Sequence, residues 1–423
     1  MSRARGPALA ALVALILALP VAVSHRVIAR SPSLSAAGAA AVSQLLDETV
    51  RKGDVPAVVV LVTSADGVVF ERAAGKRDVG ANAALHEDAI FRIASMTKPV
   101  TSAAIMMLME SGRLRLDDPA GDYVPSIDAM KVVTQVNADG SLELRPPRRR
   151  ITIRDLLTHT SGIGYSFSDP ILFKLQQSGK SEADLPLLHD PGERFTYGAS
   201  TRYLGEIVER VSGQPLETFL RTRLLEPLEM TDTAYEVATG ARSRLVTVHQ
   251  RTDGTLMERP NPEAARSPVR GDGGLFSTAR DYGKLLRLFL NGGRTGSTRL
   301  LAESSIRDMT RNQIGHLVVQ RQPAANSAVS KPFPMGGANE HWGFGDTWGL
   351  GFELAAPTTV AYRRAPGSYS WAGINNTHFW VDPQRQIGVV VLMQVLPFYD
   401  DACIKLLTNV EELVNRYVGE PSR

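Results

Sequence analysis

Two strand-rich segments with the same pattern lie near opposite ends of this chain. Residues 57–75 contain two β-branched runs joined by an Asp-Gly pair, which is a strong signal for a β-hairpin. Residues 378–394 repeat this pattern with an Asp-Pro pair at the turn. Because the sequence between them is mostly of helical character, we expect one sheet that is assembled from both chain ends, with a helical region inserted between its halves.

Helical patterns flank both hairpins. Residues 33–53 and 401–418 have apolar side chains at helical spacing. We therefore predict an α+β fold in which an antiparallel sheet with flanking helices comprises residues 32–92 and 345–420. Residues 93–344 form a mostly helical inserted domain, with the active site at the interface. Two consecutive α+β domains are the alternative, but no Gly/Ser/Pro-rich linker divides the chain.

The composition excludes several classes of function. The chain has 423 residues, of which 43% are hydrophobic, and its 47 Lys and Arg against 44 Asp and Glu give a net charge of +3. The positive charges are scattered, so we expect no nucleic-acid partner. Cys403 is the only cysteine, which excludes an intrachain disulfide and a multi-cysteine metal site. No histidine spacing suggests a metal, and we expect no cofactor.

The N-terminus predicts export. Residues 1–6 contain two arginines, and residues 7–23 are uncharged and largely apolar, which is the pattern of a signal peptide with cleavage after Ser24. We therefore expect residues 1–24 to be a signal peptide and the protein to be periplasmic or secreted. An uncleaved segment that tethers the protein to a membrane is the alternative, since the uncharged stretch is close to the shortest length that spans a bilayer.

The sharpest chemical signal is a Ser-x-x-Lys tetrad at residues 95–98 that begins an apolar helix. Side chains three residues apart lie on one helix face, so Ser95 and Lys98 can point into one site, where a desolvated lysine can act as a base. Pro99 is tolerated only near the first helical turn, which places the helix start close to Ser95. The Ser95 N–H can then stabilise an oxyanion. Alternatively, Ser95 only caps a helix.

Six segments in a fixed order extend over nearly the whole chain that follows the N-terminal stretch. They are FRIASMTK (91–98), ITIRDLLTHTSGI (151–163), DPGERFTYGASTRYLGEIVERVSGQPL (190–216), LLEPLEMTDTAY (224–235), GDGGLFSTARDYGKLLRLFLNGG (271–293) and SYSWAGINNTHFWVD (368–382). In these segments the chain resembles the serine β-lactamase and penicillin-binding-protein superfamily, and within it the class C β-lactamases and family VIII carboxylesterases. The resemblance implies a β-lactamase/transpeptidase-like fold.

The resemblance also implies roles for three side chains. Ser95 would be the nucleophile that forms an acyl-enzyme, and Lys98 would be its adjacent base. Tyr197 would lie across the cleft, share protons with Lys98 and return one to the leaving group. A phenol has an unperturbed pKa of about 10, so it needs the neighbouring Lys98 cation to favour the phenolate.

A strand at the edge of the cleft is implied in the same way. Trp371 and Gly373 would line the site, and the Ile374 N–H would be the second oxyanion donor beside that of Ser95. The glycine would let a substrate approach the backbone closely.

Two departures from the penicillin-recognising members bear on the substrate. Those members have a Tyr-x-Asn motif, whereas here Ala199 takes the place of the asparagine, and Trp371 replaces a lysine that helps to bind the β-lactam carboxylate. Both changes resemble the esterase branch, so we expect a carboxylesterase whose partner is a small-molecule ester or amide. A β-lactamase or a D-amino-acid peptidase is the main alternative. A transesterase and a non-catalytic binding protein are further alternatives.

Other aromatic side chains have a structural interpretation. The chain lacks a Gly-x-Ser-x-Gly elbow that would provide a nucleophile for His159, so we interpret this histidine as a hydrogen-bonded structural residue. Trp342, Trp348 and Tyr369 either supply an apolar acyl pocket or pack in the core.

Overall fold

The computed structural model describes residues 32–262, 264–333 and 345–419. The predicted signal peptide, with its alternative as a membrane tether, lies outside the described residues. The helices are α1 (Ala36–Arg51), α2 (Thr97–Glu110), α3 (Ile153–Leu157), α4 (Pro170–Gln177), α5 (Ser200–Ser212), α6 (Leu216–Leu220), α7 (Ala279–Leu290), α8 (Glu303–Met309) and α9 (Asp401–Tyr417). The strands are β1 (Ala57–Ser64), β2 (Val68–Asp78), β3 (Ala83–Ala84), β4 (Phe91–Arg92), β5 (Val132–Val136), β6 (Leu142–Arg145), β7 (Val248–Thr252), β8 (Thr255–Arg259), β9 (Phe276–Ser277), β10 (Arg294–Thr295), β11 (Thr298–Arg299), β12 (Thr347–Trp348), β13 (Glu353–Leu354), β14 (Tyr369–Gly373), β15 (Thr377–Asp382), β16 (Ile387–Leu392) and β17 (Val395–Leu396).

One eight-stranded antiparallel sheet joins the two ends of the chain. Its strand order is β12-β13-β14-β15-β16-β1-β2-β3. β1 pairs with β16 in a register that sets Val59 opposite Leu392, so the N-terminal hairpin extends the C-terminal one. Both predicted hairpins are present, as β1–β2 and β15–β16. The predicted α+β fold, with one antiparallel sheet assembled from both chain ends, is confirmed.

The sheet separates two hydrophobic cores. Along β1, Val58 faces the core that contains α1 and α9, whereas Val59 faces the core that contains α2 and α7. This alternation follows from the two-residue period of a strand. Ser35 and Asp400 cap the outer helices α1 and α9 by accepting hydrogen bonds from backbone N–H groups. The sheet is therefore covered by helices on both faces.

The region between the two sheet halves combines helices with short strands. α5 packs against α2, and β5–β6 and β7–β8 pair as hairpins. α7 packs directly on β1 and β16, so a helix from the middle of the chain covers the sheet on the side opposite α1 and α9. The predicted division of the chain at residues 92 and 345 stays a prediction. None of the described helices has the length and apolar character that a bilayer crossing requires.

Candidate active site

The candidate nucleophile lies in a strained turn immediately before α2. A 3-10 turn over Ala94–Met96 leads into the helix at Thr97, which confirms that a helix begins beside Ser95. Ala94 has a φ of +44°, in the left-handed region that costs a residue with a Cβ about 1–2 kcal/mol. Strain of this kind is concentrated at functional sites. Ser95 itself is partly exposed.

Lys98 lies at the centre of the site and is only 1% exposed. Its Nζ is 3.1 Å from Ser95 Oγ, 3.0 Å from Tyr165 Oη and 2.8 Å from the main-chain oxygen of Asp272. An ammonium group has three N–H donors, and these three acceptors account for all of them. The structure thus brings Ser95 and Lys98 into hydrogen-bond contact, while their catalytic roles stay a prediction.

Tyr165 and Asp272 are the two residues of the site that the sequence analysis missed. Tyr165 donates its hydroxyl hydrogen to Asp272 Oδ2 at 2.5 Å, and Arg270 Nε donates to Asp272 Oδ1 at 2.9 Å. Burial acts to raise the pKa of the Asp272 carboxyl, but the charges of Lys98 and Arg270 and the hydrogen bonds lower it overall. Burial and then the Asp272 charge raise the pKa of Tyr165 well above its usual value. Lys98 therefore has a neutral phenol and a carboxylate as neighbours.

Tyr197 lies beside Lys98, although no hydrogen bond joins these two described side chains. The Nζ of Lys98 is 4.9 Å from the centre of the Tyr197 ring, which is the distance of a cation–π contact. The Tyr197 hydroxyl oxygen accepts a hydrogen bond from Trp371 Nε1 at 3.2 Å. The structure thus brings the tyrosine, the lysine and the tryptophan together. The predicted exchange of protons between Tyr197 and Lys98 stays a prediction.

The predicted oxyanion donors are two backbone N–H groups. Within the described part of the chain, neither the Ser95 N–H nor the Ile374 N–H has a hydrogen-bond acceptor, which leaves both available for a substrate oxygen. A Cβ on Gly373 would lie 2.3 Å from the main-chain oxygen of Ile93 and 2.4 Å from Thr377 Oγ1. The glycine is therefore needed for β14 to pack on the turn before the nucleophile. This role is additional to the predicted one, which is to let a substrate approach the backbone closely.

The remaining aromatic candidates pack around the site. Burial, and then the charge of Lys98, lowers the pKa of His159 well below its usual value, so this histidine is neutral. Its ring lies 5.2 Å from that of Trp348, which is fully buried. Tyr369 is also buried in the same core. Of the two roles that we considered, an acyl pocket and core packing, Trp348 and Tyr369 thus have the second. Trp342 lies outside the described residues.

The site contains the groups of a serine acyl-transfer centre. A partly exposed serine, a buried lysine and two backbone N–H donors meet beside an antiparallel sheet that is covered by helices. Among residues 32–262, 264–333 and 345–419, no three His, Cys, Asp or Glu side chains are grouped as metal ligands. This fold and these groups define a serine hydrolase of the β-lactamase fold. The chain belongs to the Beta-lactamase family, whose model matches residues 42–410.

Similar proteins include esterases and acyltransferases. Lovastatin esterase from Penicillium rubens is 30% identical over 372 residues, which cover 82% of this chain and 91% of that protein. Monacolin J acid methylbutanoyltransferase from Aspergillus terreus is 28% identical over 419 residues, which cover 90% of this chain and 98% of that protein. The solved structure of simvastatin synthase from Aspergillus terreus, LovD6 mutant, superposes with a TM-score of 0.77 at 25% identity and covers 90% of this chain and 95% of its own.

Proposed function

We propose that this protein is an exported carboxylesterase that acts on small neutral esters through an acyl-enzyme on Ser95. The observation that supports this most directly is the 3.1 Å contact between Lys98 Nζ and Ser95 Oγ at the start of α2. Lys98 is buried, and its Nζ lies within hydrogen-bond reach of the hydroxyl proton that it would remove. It is then a suitable base for the serine hydroxyl.

In the proposed reaction, the Ser95 oxygen attacks the ester carbonyl carbon while its proton passes to Lys98. The carbonyl oxygen becomes negatively charged and is stabilised by the Ser95 and Ile374 N–H groups. Tyr197 gives a proton to the leaving alcohol oxygen as the C–O bond breaks, and it regains one from Lys98. Water then attacks the acyl-enzyme by the same route, which releases the acid and restores the Ser95 hydroxyl.

Two side chains support neutral esters as substrates. Trp371 has no charge to offer a carboxylate, and its N–H is already donated to Tyr197. Ala199 is buried next to the start of α5 and has no amide that could hold a substrate carbonyl. Among the relatives, lovastatin esterase is an esterase by name.

Acyl transfer to an alcohol is a second candidate function. It is favoured by the similarity to a methylbutanoyltransferase over 90% of this chain. An alcohol would replace water in the second half of the reaction, and the acyl-enzyme on Ser95 would be unchanged. Product analysis with an added short-chain alcohol separates the two functions, because a new ester forms only in acyl transfer.

The hydrolase proposal is tested with p-nitrophenyl esters of increasing acyl length and with a fluorophosphonate. We expect ester hydrolysis and a fluorophosphonate adduct on Ser95 by mass spectrometry, and the loss of both in Ser95→Ala. Ser43→Ala is the matched control, since Ser43 lies on α1 and, among the described residues, its hydroxyl bonds only to the Ala39 oxygen. An adduct on another residue, full activity in Ser95→Ala, or faster turnover of nitrocefin or a D-Ala-D-Ala peptide contradicts the proposal.

Export is tested separately, because its support comes from the sequence of residues 1–24. The full chain is expressed in a bacterial host, the cell fractions are separated, and the N-terminus of the protein is sequenced. We expect a periplasmic or secreted protein that begins at His25. An intact N-terminus in the membrane fraction indicates the tethered form, and an intact protein in the cytoplasm contradicts export.

A further inference from the structure

We propose that Tyr165 and Asp272 are positioning residues that hold two of the three N–H groups of Lys98, so that the lone pair of the neutral lysine is directed at the Ser95 hydroxyl. The inference rests on the proposed function of Ser95 and Lys98. It gives a role to two side chains that are far in sequence from the Ser-x-x-Lys tetrad. No described hydrogen bond joins either of them to the Ser95 hydroxyl.

Of the three hydrogen-bond partners of Lys98 Nζ, one differs from the other two in its ability to donate a hydrogen. The main-chain oxygen of Asp272 has no hydrogen and can only accept, so the N–H at 2.8 Å from it stays on the lysine. The Tyr165 hydroxyl gives its own hydrogen to Asp272 Oδ2 at 2.5 Å, so towards Lys98 it also acts as an acceptor. Only Ser95 Oγ, at 3.1 Å, can either accept a hydrogen from Lys98 or donate one to it.

It follows that the loss of one proton leaves the lone pair of Lys98 directed at Ser95. The neutral amine keeps its two N–H groups on Tyr165 and on the Asp272 oxygen, and the third position faces the serine hydroxyl. A base must lie within hydrogen-bond reach of the proton that it removes, and here the orientation is prepared before the substrate arrives. A lysine on a flexible stem has no such preference by itself.

Further contacts fix Asp272. Arg270 contacts both carboxylate oxygens, with Nε on Oδ1 at 2.9 Å and Nη2 on Oδ2 at 3.0 Å. The same guanidinium donates two hydrogen bonds of 3.0 Å to Glu182, which limits its motion. Thr101, one turn along α2 from Lys98, donates its hydroxyl to the main-chain oxygen of Gly271 at 2.7 Å. This bond ties the loop that precedes Asp272 to the helix of the lysine.

The charges agree with this arrangement. The pKa of the Asp272 carboxyl is lowered overall although burial acts to raise it, so the group is an anion beside the Lys98 cation. The pKa of Tyr165 is raised well above its usual value by burial and by Asp272, so its hydroxyl keeps the hydrogen that it donates. Tyr165 is thus a fixed acceptor for Lys98 across the neutral pH range.

The first experiment replaces the phenol with a ring of the same shape. Tyr165→Phe removes one of the two acceptors that orient Lys98, so kcat/KM for a p-nitrophenyl ester and the rate of fluorophosphonate labelling should both fall about 10- to 100-fold. KM should change little. Tyr203→Phe is the matched control, because Tyr203 is a buried tyrosine of α5 that makes no hydrogen bond with another described residue.

The second experiment removes the charge of the carboxylate. Asp272→Asn keeps the main-chain oxygen and an acceptor for Tyr165, but the ammonium form of Lys98 loses a nearby anion. We expect the acidic limb of the kcat/KM profile to move to lower pH, which a purely structural role would not produce. Asp400→Asn is the matched control, since Asp400 is equally buried, is paired with Arg251 and lies on the other side of the sheet at α9.

The outcomes separate this inference from the proposed function. Two results would overturn the positioning role alone, provided that the unchanged protein hydrolyses esters and is labelled on Ser95. One is a kcat/KM of Tyr165→Phe within about twofold of that of the unchanged protein, and the other is an acidic limb that does not move in Asp272→Asn. An unchanged protein that neither hydrolyses esters nor is labelled overturns both. Melting temperatures show whether each variant is folded, and the conservative Tyr165→Phe decides the question if Asp272→Asn does not fold.

Discussion

Two buried tryptophans of the sheet use their indole N–H groups in different ways. Trp371 on β14 donates to the Tyr197 hydroxyl oxygen at 3.2 Å. Trp380 on the neighbouring strand β15 faces the other core, and its N–H has no acceptor among the described residues. The Trp371 N–H is therefore placed to fix the position of the Tyr197 hydroxyl oxygen.

Trp371→Phe should lower activity without unfolding the protein. The phenylalanine ring keeps most of the packing but removes a hydrogen bond, and the loss of about 1 kcal/mol corresponds to a roughly fivefold to tenfold lower kcat/KM for a p-nitrophenyl ester. Trp380→Phe is the control, because it removes an N–H that makes no described hydrogen bond. Equal activities for the two variants would show that the Trp371 hydrogen bond has no part in the reaction.

At this scale, helical spacing predicted the pair Ser95 and Lys98, and the family resemblance added Tyr197 and Trp371. The sequence analysis missed Tyr165 and Asp272. Ser95 and Lys98 are three residues apart in sequence, and helical geometry alone brings them together. Tyr165 and Asp272 lie 67 and 174 residues from Lys98, and no local pattern encodes their meeting. The available signal was their position: Tyr165 follows the segment 151–163 by two residues, and Asp272 is the second residue of the segment 271–293.

Among the short elements, α3 depends on a buried carboxylate. Thr152 and Asp155 form a capping box at its start, and Arg149 adds hydrogen bonds of 2.6 and 2.9 Å to the same carboxylate. Burial acts to raise the pKa of Asp155, but these hydrogen bonds lower it overall. A carboxyl whose pKa is lower in the folded state stabilises the protein above its unfolded pKa of about 4, and this contribution is lost as the pH falls through the folded pKa.

Acid should therefore weaken this element. We expect the melting temperature to fall as the pH drops below the unfolded pKa of about 4 and through the lower folded-state pKa of Asp155. Asp155→Asn should cost about 2 kcal/mol at neutral pH and show a shallower loss in acid. Asp401→Asn, at an exposed ion pair with Lys331, should change little and serves as the control. Parallel melting curves for all three proteins would contradict the role of Asp155.

The position of β14 depends on a residue without a side chain. Gly373→Ala places a Cβ within 2.4 Å of two atoms, the Ile93 oxygen and Thr377 Oγ1, so β14 must move away from the turn that holds Ser95. We expect a loss of about 1–3 kcal/mol in urea unfolding and a large drop in kcat. Gly67→Ala is the control, since nothing lies within 4 Å of a Cβ at that hairpin position. Full activity in Gly373→Ala would contradict this account.

Element length decided what the sequence could predict. The hairpins β1–β2 and β15–β16 and the helices α1 and α9 have enough residues to show a period, and all of them are present as expected. By contrast, β3, β4, β12 and β13 have two residues each. Such strands exist because a partner strand is adjacent, which no local pattern can reveal. The sequence therefore could not predict β12 and β13, which form the edge of the sheet next to Trp371.

At the scale of the whole molecule, the two hydrophobic cores differ in their relation to the candidate site. The core between the sheet and α1 and α9 contains no residue of the candidate site, whereas Tyr197, Trp371 and the start of α2 belong to the other core. Stability contributed by the first core should therefore be separable from catalysis.

Leu407→Ala tests this separation. Leu407 is fully buried on α9, so its truncation should cost about 2–5 kcal/mol in urea unfolding. The kcat/KM at 25 °C should remain that of the unchanged protein, because the altered core lies across the sheet from Ser95. Leu413→Ala, at a half-buried position of the same helix, should lose less stability. A parallel decline of activity in Leu407→Ala would show that the cores are coupled.

The two ends of the described chain meet at one place. Ser35 N–H donates to the Tyr417 oxygen at 3.2 Å, and Leu34 forms a β-bridge with Val418. Both ends belong to the helical layer across the sheet from Ser95. Immobilisation on a solid support, or fusion to a carrier, through either end would therefore turn the reactive serine outward, and one attachment chemistry would suit both ends.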